Sequence, residues 1–441
     1  MGTPKKLDLA GKSVQLGNRR LKVKVFSEPS HDCLTIGEGR AHRIMADTYC
    51  DPACFSVPAH GHDLTFYPGG EDRLNALLAL IAGAARSLKL CFYIFSEDRS
   101  GRLVRDALVL AARRGVQVTL IVDRFGSDAT ETFFAPLSVV GGTVLFFSSR
   151  WTRRYLIRNH QKMVIADDDR VMIGGFNVAD DYFAPPDANG WSDLGITVSG
   201  PIVAALGRWF EQLANWTADP DAQLLAIRKL VREWEPGEGP MRWLIGGPTK
   251  FLSNWARSVS NDLSRGRRLD MVMAYFAPAP LMLRKIGWIG RTGKARLVLP
   301  AKSDNGATIG AARALYRMLL KRRVDIWEFV PCKLHTKLIV IDSTVYIGSG
   351  NFDMRSLYIN LELMLRIEDA ALANRMRDYI SQQVDASDRI TLALDRARRT
   401  WFNRLRWGLS WFLVTVVDYS ITRRLNLGLG SVIVPENDPP S

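Results

Sequence analysis

Histidine and lysine stand two residues apart at His160 and Lys162, heading the apolar run NHQKMVIADDDRVMIGGFN. They do so again at His335 and Lys337, in LHTKLIVIDSTVYIGSGN. In a strand, residues i and i+2 share a face, so each pair presents an imidazole and an ammonium together. Asp167 and Asp342 have the opposite parity and fall where each strand turns, which makes them turn anchors rather than chemistry. A second short strand then leads to small residues and an amide: Gly174, Gly175 and Asn177 in the first copy, Gly348, Ser349 and Asn351 in the second. Two facing copies would gather two imidazoles, two ammoniums and two amides around one small space. Such a set suits phosphoryl transfer, which needs a nucleophile, an acid for the departing alkoxide, and fixed cationic donors on the non-bridging oxygens. Histidine, with a reference pKa of about 6.5, can serve as neutral nucleophile at one position and protonated acid at the other.

A lone His-x-Lys on a strand is usually surface chemistry of no interest. Two copies followed at matching distances by an aspartate, small residues and an asparagine are hard to reach by chance. Of the chain's six histidines, His160 and His335 alone lie beyond residue 62.

The elements that must position these groups repeat as well. LKLCFYIFSED (88–98) reads as a buried strand, Leu103 to Arg114 as an amphipathic helix ending at Gly115, and QVTLIVD (117–123) as the next strand. In the second copy MVMAYFAPAP (271–280), KARLVLP (294–300) and a helix over 307–321 play the same parts. Strands alternating with helices predict α/β halves with mainly parallel or mixed sheets, related by a pseudo-two-fold axis with the site at their interface. The expected division is an extension over 1–61, a first half over 62–225, a linker over 226–245, a second half over 246–394, and a basic, Trp-rich tail over 395–441.

With 441 residues the chain can bury more than one core, and its net charge of +14 favours a polyanionic partner, nucleic acid or an anionic membrane surface. The opening residues lack the apolar core of a secretory signal, and five scattered cysteines make no disulfide framework. A reducing, cytoplasmic setting is the simpler expectation. The apolar run TFFAPLSVVGGTVLFFSS (132–149) is broken by Pro136 and Gly141–Gly142 into a helix end, a turn and a strand, so it is not read as a membrane span.

At the repeated residues the chain resembles the phospholipase D superfamily, whose signature is H-x-K-x4-D followed by G-S-x-N. Gly175 replaces the serine in the first copy, and the second has one residue fewer between Asp342 and Gly348, as in a tighter hairpin. Within the superfamily the likeness is closest to bacterial cardiolipin synthases, carried by GGFNVADDY, WSDLGITVSGPIV and GNFDMRSLYINLELML. The resemblance implies a phosphohistidine intermediate, with His160 as nucleophile and His335 as acid and then base. It also implies a downstream carboxylate holding each imidazole; by position these are Asp193 and Glu362.

The two lysines and two asparagines supply what a bound cation would otherwise provide, so no metal or other cofactor is expected. CDPACFSVPAHGH, with Cys50, Cys54, His60 and His62, matches no common zinc spacing and reads as a loop before the first domain strand.

The superfamily holds lipid enzymes and nucleases, so the surroundings must choose the substrate. The tail interleaves arginines with aromatics, including Trp401, Arg404, Trp407 and Trp411; its longest uncharged run is too short to span a bilayer but suits an interfacial helix. A helix packed on the protein's own core would use the same residues. A second patch, SRWTRRYLIRNHQK, places Arg150, Arg153, Arg154 and Arg158 just before His160, where they could rim an anionic headgroup or track a nucleic-acid backbone. The expectation is phosphatidyl transfer on anionic phospholipids such as phosphatidylglycerol. The enzyme would be peripheral or monotopic on the cytoplasmic side of the membrane, with nucleic acid the less favoured partner.

Overall fold

The computed structural model describes residues 49–148, 157–250 and 252–417, together with an antiparallel pair of two-residue strands, Gln15–Leu16 and Arg19–Arg20. Arg150, Arg153 and Arg154 lie outside the described residues. The described residues from 49 onward form one unit built on two eight-stranded sheets.

The sheets share a six-strand plan. In the first, Gly195–Ser199, Arg170–Gly174, Met163–Ala166, Ser87–Phe92, Gln117–Asp123 and Thr143–Phe147 lie side by side in that order. In the second the matching order is Glu362–Glu368, Thr344–Gly348, Lys337–Ile341, Arg268–Met273, Lys294–Pro300 and Val324–Phe329. In both sheets the last three strands run parallel and the remaining neighbours antiparallel. The sheets are therefore mixed, not mainly parallel: βα crossovers build one flank of each, whereas hairpins build the flank that carries the histidines.

A seventh strand matches as well, His62–Tyr67 in the first sheet and Met241–Gly246 in the second, each antiparallel to the first strand of the plan, so the additions the repeat does not share are Phe55–Ala59 and Ser387–Ile390. Phe55–Ala59 and His62–Tyr67 form a hairpin that pairs onto Gly195–Ser199. The segment around Cys54 and His60 is thus sheet edge, not a loop ahead of the domain. His60 Nε2 bonds the Glu368 carbonyl at 2.9 Å, and the Ile202 amide donates to His62 Nε2 at 3.2 Å. Both imidazoles are engaged in packing that hairpin, and among the described residues no three metal-type ligands converge.

Residues 226–245 are not a linker either. Leu224–Glu233 is a helix that buries Ile227 and Val231, and Met241–Gly246 is the edge strand paired with Glu362–Glu368. Only the short Pro- and Gly-bearing turn between them is linker in character.

Leu64, Ile165, Ile173 and Leu194 of the first half pack in one apolar core with Leu338, Ile347, Leu363 and Ile367 of the second. The halves therefore share a core, and rigid-body separation would expose it. Among the described residues no helix is long and apolar enough to cross a membrane.

Candidate active site

Each motif hairpin is pinned at its turn. Asp167 adopts φ +56° and its carboxylate accepts from the amides of Ala85, Arg86 and Ser87 at 2.7–2.9 Å. Asp342, at φ +48°, accepts from the amides of Arg267 and Arg268 at 2.8–3.2 Å. The first turn has three residues between its strands and the second has two, which absorbs the one-residue difference in motif spacing. Gly348 is required where it stands, since a Cβ there would lie 2.1 Å from the Leu363 carbonyl oxygen.

The paired histidines sit where the halves hydrogen-bond to each other. Asn159 forms a parallel bridge with Leu361, so His160 lies beside Glu362. Trp191–Ser192 pairs in parallel with Lys333–Leu334, so His335 lies beside Asp193. The His160 amide donates to the Leu361 carbonyl at 2.9 Å and the His335 amide to that of Ser192 at 2.7 Å. Each imidazole then meets the carboxylate of the opposite half: His160 Nδ1 to Glu362 Oε2 at 3.1 Å, His335 Nδ1 to Asp193 Oδ2 at 2.7 Å. The pairing is an exchange, with neither histidine held by its own half. A carboxylate at Nδ1 fixes the tautomer with hydrogen on that nitrogen and leaves Nε2 with its lone pair for chemistry.

Lys162 Nζ donates to the His160 carbonyl at 2.7 Å, and Lys337 Nζ to that of His335 at 2.5 Å. These bonds hold both ammoniums beside the histidine backbone. Burial pushes Lys162 down to about 7 and Lys337 down to about 8, while the opposite-half and same-half carboxylates pull both upward. Burial, then Lys162 and Lys337, hold His160 well below the ordinary imidazole value; burial and Lys337 take His335 down to about 3 despite Asp193. Each ring feels the lysine of the other half, so the four groups form one electrostatic centre. A phosphodiester anion placed among them would relieve the repulsion and raise the imidazole that must become an acid.

The two carboxylates differ. Burial lifts Glu362 to about 8, and it also accepts from Ser349 Oγ at 2.5 Å. Burial opposes ionisation of Asp193 too, but His335 and Lys337 keep its carboxyl below the ordinary value. The longer glutamate goes with serine, the shorter aspartate with glycine. A Cβ at Gly175 would lie 2.7 and 2.8 Å from the two Asp193 carboxylate oxygens and 3.0 Å from the His335 carbonyl oxygen. Gly175→Ser therefore displaces Asp193 from His335, and kcat/KM is expected to fall by roughly 10²-fold, as for angstrom-scale misplacement of a catalytic group. Steady-state kinetics alongside a thermal melt check this; a variant as active as wild type would contradict it.

Asn177 and Asn351 are both buried. Asn177 Oδ1 accepts from the Ile94 amide at 3.1 Å, and Asn351 Oδ1 has no hydrogen-bond partner among the described residues. Gly174 ends the strand before Asn177.

Several contributors escaped the motif reading. Arg73 is fully buried on helix Gly70–Ala82, and its guanidinium donates to the carbonyls of Pro68, Asp193, Tyr182 and Trp191, the last three at 2.6–3.1 Å. It thereby holds the segment carrying Asp193. Its signal was a basic residue on the apolar face of an amphipathic helix. Gln161, between His160 and Lys162, donates to the Glu362 carbonyl at 3.2 Å and accepts from Trp209 Nε1 at 3.1 Å. Rings wall the imidazoles: Tyr93 lies 5.0 Å from His160, and Tyr182 and Trp191 lie 5.1 and 5.2 Å from His335.

Of the outer residues, Arg158 stacks over Phe125 at 4.2 Å, close enough to the site to depress His160. Trp407 is only 4% exposed, and Arg399 lies 5.7 Å over its ring. It is a core contact, not a membrane one, and Trp411 packs partly buried against the second-half core. Helix Trp401–Trp411 turns these two inward onto helix Gly306–Leu320 and leaves Trp401, Phe402, Leu405 and Leu409 exposed.

The lysines give a pH test. Their charge is present below their values in the folded protein and lost as pH rises through them. The free enzyme's kcat/KM should accordingly decline as pH climbs past about 7–8, well below the ordinary lysine range. A pH profile flat from 7 to 9.5 would oppose this assignment.

Two similar α/β halves that exchange carboxylates around paired histidines and lysines define a phospholipase D-type phosphoryl-transfer enzyme. A family model described as "Cardiolipin synthase, PLD-like domain" matches residues 77–214 and 261–384, more than half of the chain, which belongs to that family. Cardiolipin synthase A of Cronobacter sakazakii is 30% identical over 345 residues, covering 73% of this chain and 70% of that one. The major cardiolipin synthase of Bacillus subtilis is 28% identical over 343 residues, covering 75% and 71%. Among solved structures, phosphatidylserine synthase from Haemophilus influenzae has the same fold, with a TM-score of 0.66 at 11% identity, covering 88% of this chain and 99% of that one.

Proposed function

We propose that the protein is a phosphatidyltransferase of the cardiolipin synthase kind, joining two phosphatidylglycerols into cardiolipin and releasing glycerol. The observation that carries this reading is the pair of crossed histidine–carboxylate contacts, with both lysines, in a family of cardiolipin synthases.

In the first step His160 Nε2 attacks the phosphorus of one phosphatidylglycerol. The bond from phosphorus to the glycerol headgroup breaks, and His335, protonated at Nε2, gives its proton to the departing alkoxide. The product is a phosphatidyl–His160 intermediate and free glycerol. In the second step His335 takes the proton from a hydroxyl of a second phosphatidylglycerol. That oxygen attacks the phosphorus, the phosphorus–nitrogen bond breaks, and cardiolipin leaves with both histidines returned to their starting forms. The assignment of roles is supported by the shorter contact of His335 with an ionised Asp193, which suits the ring that must carry charge. Lys162, Lys337, Asn177 and Asn351 would hold the non-bridging oxygens as charge builds there.

Incubation with phosphatidylglycerol vesicles tests the reading. Cardiolipin and glycerol are expected; phosphatidic acid as the sole lipid product would make the enzyme a hydrolase, and metal-independent cleavage of DNA or RNA would make it a nuclease.

The exposed face of helix Trp401–Trp411 supports a peripheral position on the membrane, apolar side chains among acyl chains and Arg404 and Arg406 at the headgroups. The triple variant Trp401→Ser, Phe402→Ser, Leu405→Ser should sediment with anionic vesicles about tenfold less, given ~1.5–3 kcal/mol for fully burying a large apolar side chain. Turnover of a soluble short-chain substrate should be retained. Unchanged sedimentation would remove this helix from the membrane contact.

A further inference from the structure

Away from the phosphoryl centre, a cavity of about 390 Å³ opens between helix Leu224–Glu233 and the start of helix Asn254–Arg265. Arg228, Lys229 and Arg232 line one wall; Lys250 and Arg257 line another. Among the described residues no carboxylate lines it. The first wall follows from helical spacing: Ile227 and Val231 face the core, which turns 225, 228, 229 and 232 together onto the cavity side.

Crowding like charges is unfavourable unless something offsets it, and of the five cations Arg232 has an exposed ion pair, with Glu233 at 3.4 Å. Arg228 is half-buried, and burial together with Arg232 lowers its hold on its proton. Arg257 lies in the first turns of its helix, where the backbone dipole disfavours a cation and favours an anion. That helix has no acidic residue in its first turn to answer its dipole. Ser253, which caps it, and Thr249 add polar groups to the lining, and Leu225 stands exposed at the rim. A cluster of guanidinium and ammonium groups beside a helix start suits a phosphate group, and the cavity is large enough to hold one.

We propose that this cavity is a second anion site, distinct from the catalytic centre, that takes a phosphate-bearing group such as a phospholipid headgroup. The site stands independently of the reaction assigned to the histidines. Its wall is nonetheless continuous with the catalytic strand: Gly246 pairs with Glu362, and the next residues lead to Thr249 and Lys250. Trp255, on the helix that bounds the cavity, packs against Gly350 in the second motif, where a Cβ would meet its ring nitrogen at 3.2 Å.

The test is calorimetric titration of the full chain carrying His160→Ala, so that turnover contributes no heat. The titrants are inorganic phosphate and, separately, dihexanoyl phosphatidylglycerol below its micelle concentration. Adding Arg228→Gln with Arg232→Gln, or Lys250→Gln with Arg257→Gln from the opposite wall, should remove one binding event or weaken it at least about tenfold. Loss of the lipid event with little phosphate binding at the site identifies a headgroup ligand; comparable loss of both identifies free phosphate as sufficient. With His160 intact, both wall variants should turn over short-chain substrate within about twofold of wild type, which separates this site from the catalytic one. Identical isotherms across all three proteins would overturn the proposal.

Discussion

His160→Ala is expected to lower phosphatidyl transfer by about 10⁴-fold or more, and His335→Ala to do the same. In the proposed reaction the two imidazoles act in one sequence of bond changes, so the double variant should be scarcely worse than either single one. Losses that multiplied would mean independent sites. The two singles should nevertheless differ in what they leave behind. Without the His335 acid, a substrate bearing a good leaving group still needs no proton, so His335→Ala should form a phosphatidyl adduct on His160 and then stall. His160→Ala should form none. Rapid quench with a nitrophenyl phosphodiester, followed by peptide mapping at neutral to alkaline pH, reads this directly. An adduct mapped to His335 would reverse the roles.

The second large effect is remote in sequence. Asp193→Asn should cost about 10²–10⁴-fold in kcat, as removal of a carboxylate that orients and stabilises an imidazolium does elsewhere. Because Asp193 bonds His335 and not His160, its loss should mimic the His335 variant: adduct formation with an activated substrate survives while transfer from an ordinary alcohol headgroup fails. Glu362→Gln should instead impair adduct formation, since Glu362 meets His160. If Asp193→Asn blocked the adduct and Glu362→Gln spared it, each carboxylate would be serving its own half in solution, and the crossed arrangement would be wrong.

Much of this was legible in the sequence because repetition amplifies weak signals. His160-x-Lys162 alone is ambiguous, but with His335-x-Lys337 it marks two halves and one chemistry. The alternation of buried strands and amphipathic helices located most of the framework. What sequence patterning lacks is information about pairing between distant segments. The crossing of Asp193 to His335 depends on the two-residue pairing of Trp191–Ser192 with Lys333–Leu334, too short to carry any periodicity. The same holds for the edge strands. Met241–Gly246 reads MRWLIG, apolar enough to be a strand, but it follows a Pro- and Gly-bearing turn whose composition is that of a linker. Trp407 shows a further ambiguity. An arginine- and tryptophan-rich helix can bury its aromatics in protein or in lipid, and helix Trp401–Trp411 does the first with Trp407 while leaving Trp401 78% exposed.

The exchange of carboxylates across the midline has a consequence for how such a catalyst can be divided or inherited. A fragment bearing either motif alone would own a nucleophile or acid without its counterweight, and could regain one only by embracing a twin or its missing neighbour. Tethering the two in one polypeptide removes the need for identity. Gly175 opposite Ser349, and Asp193 opposite Glu362, are differences that tethering permits: each side can suit a single imidazole while remaining hostage to the other.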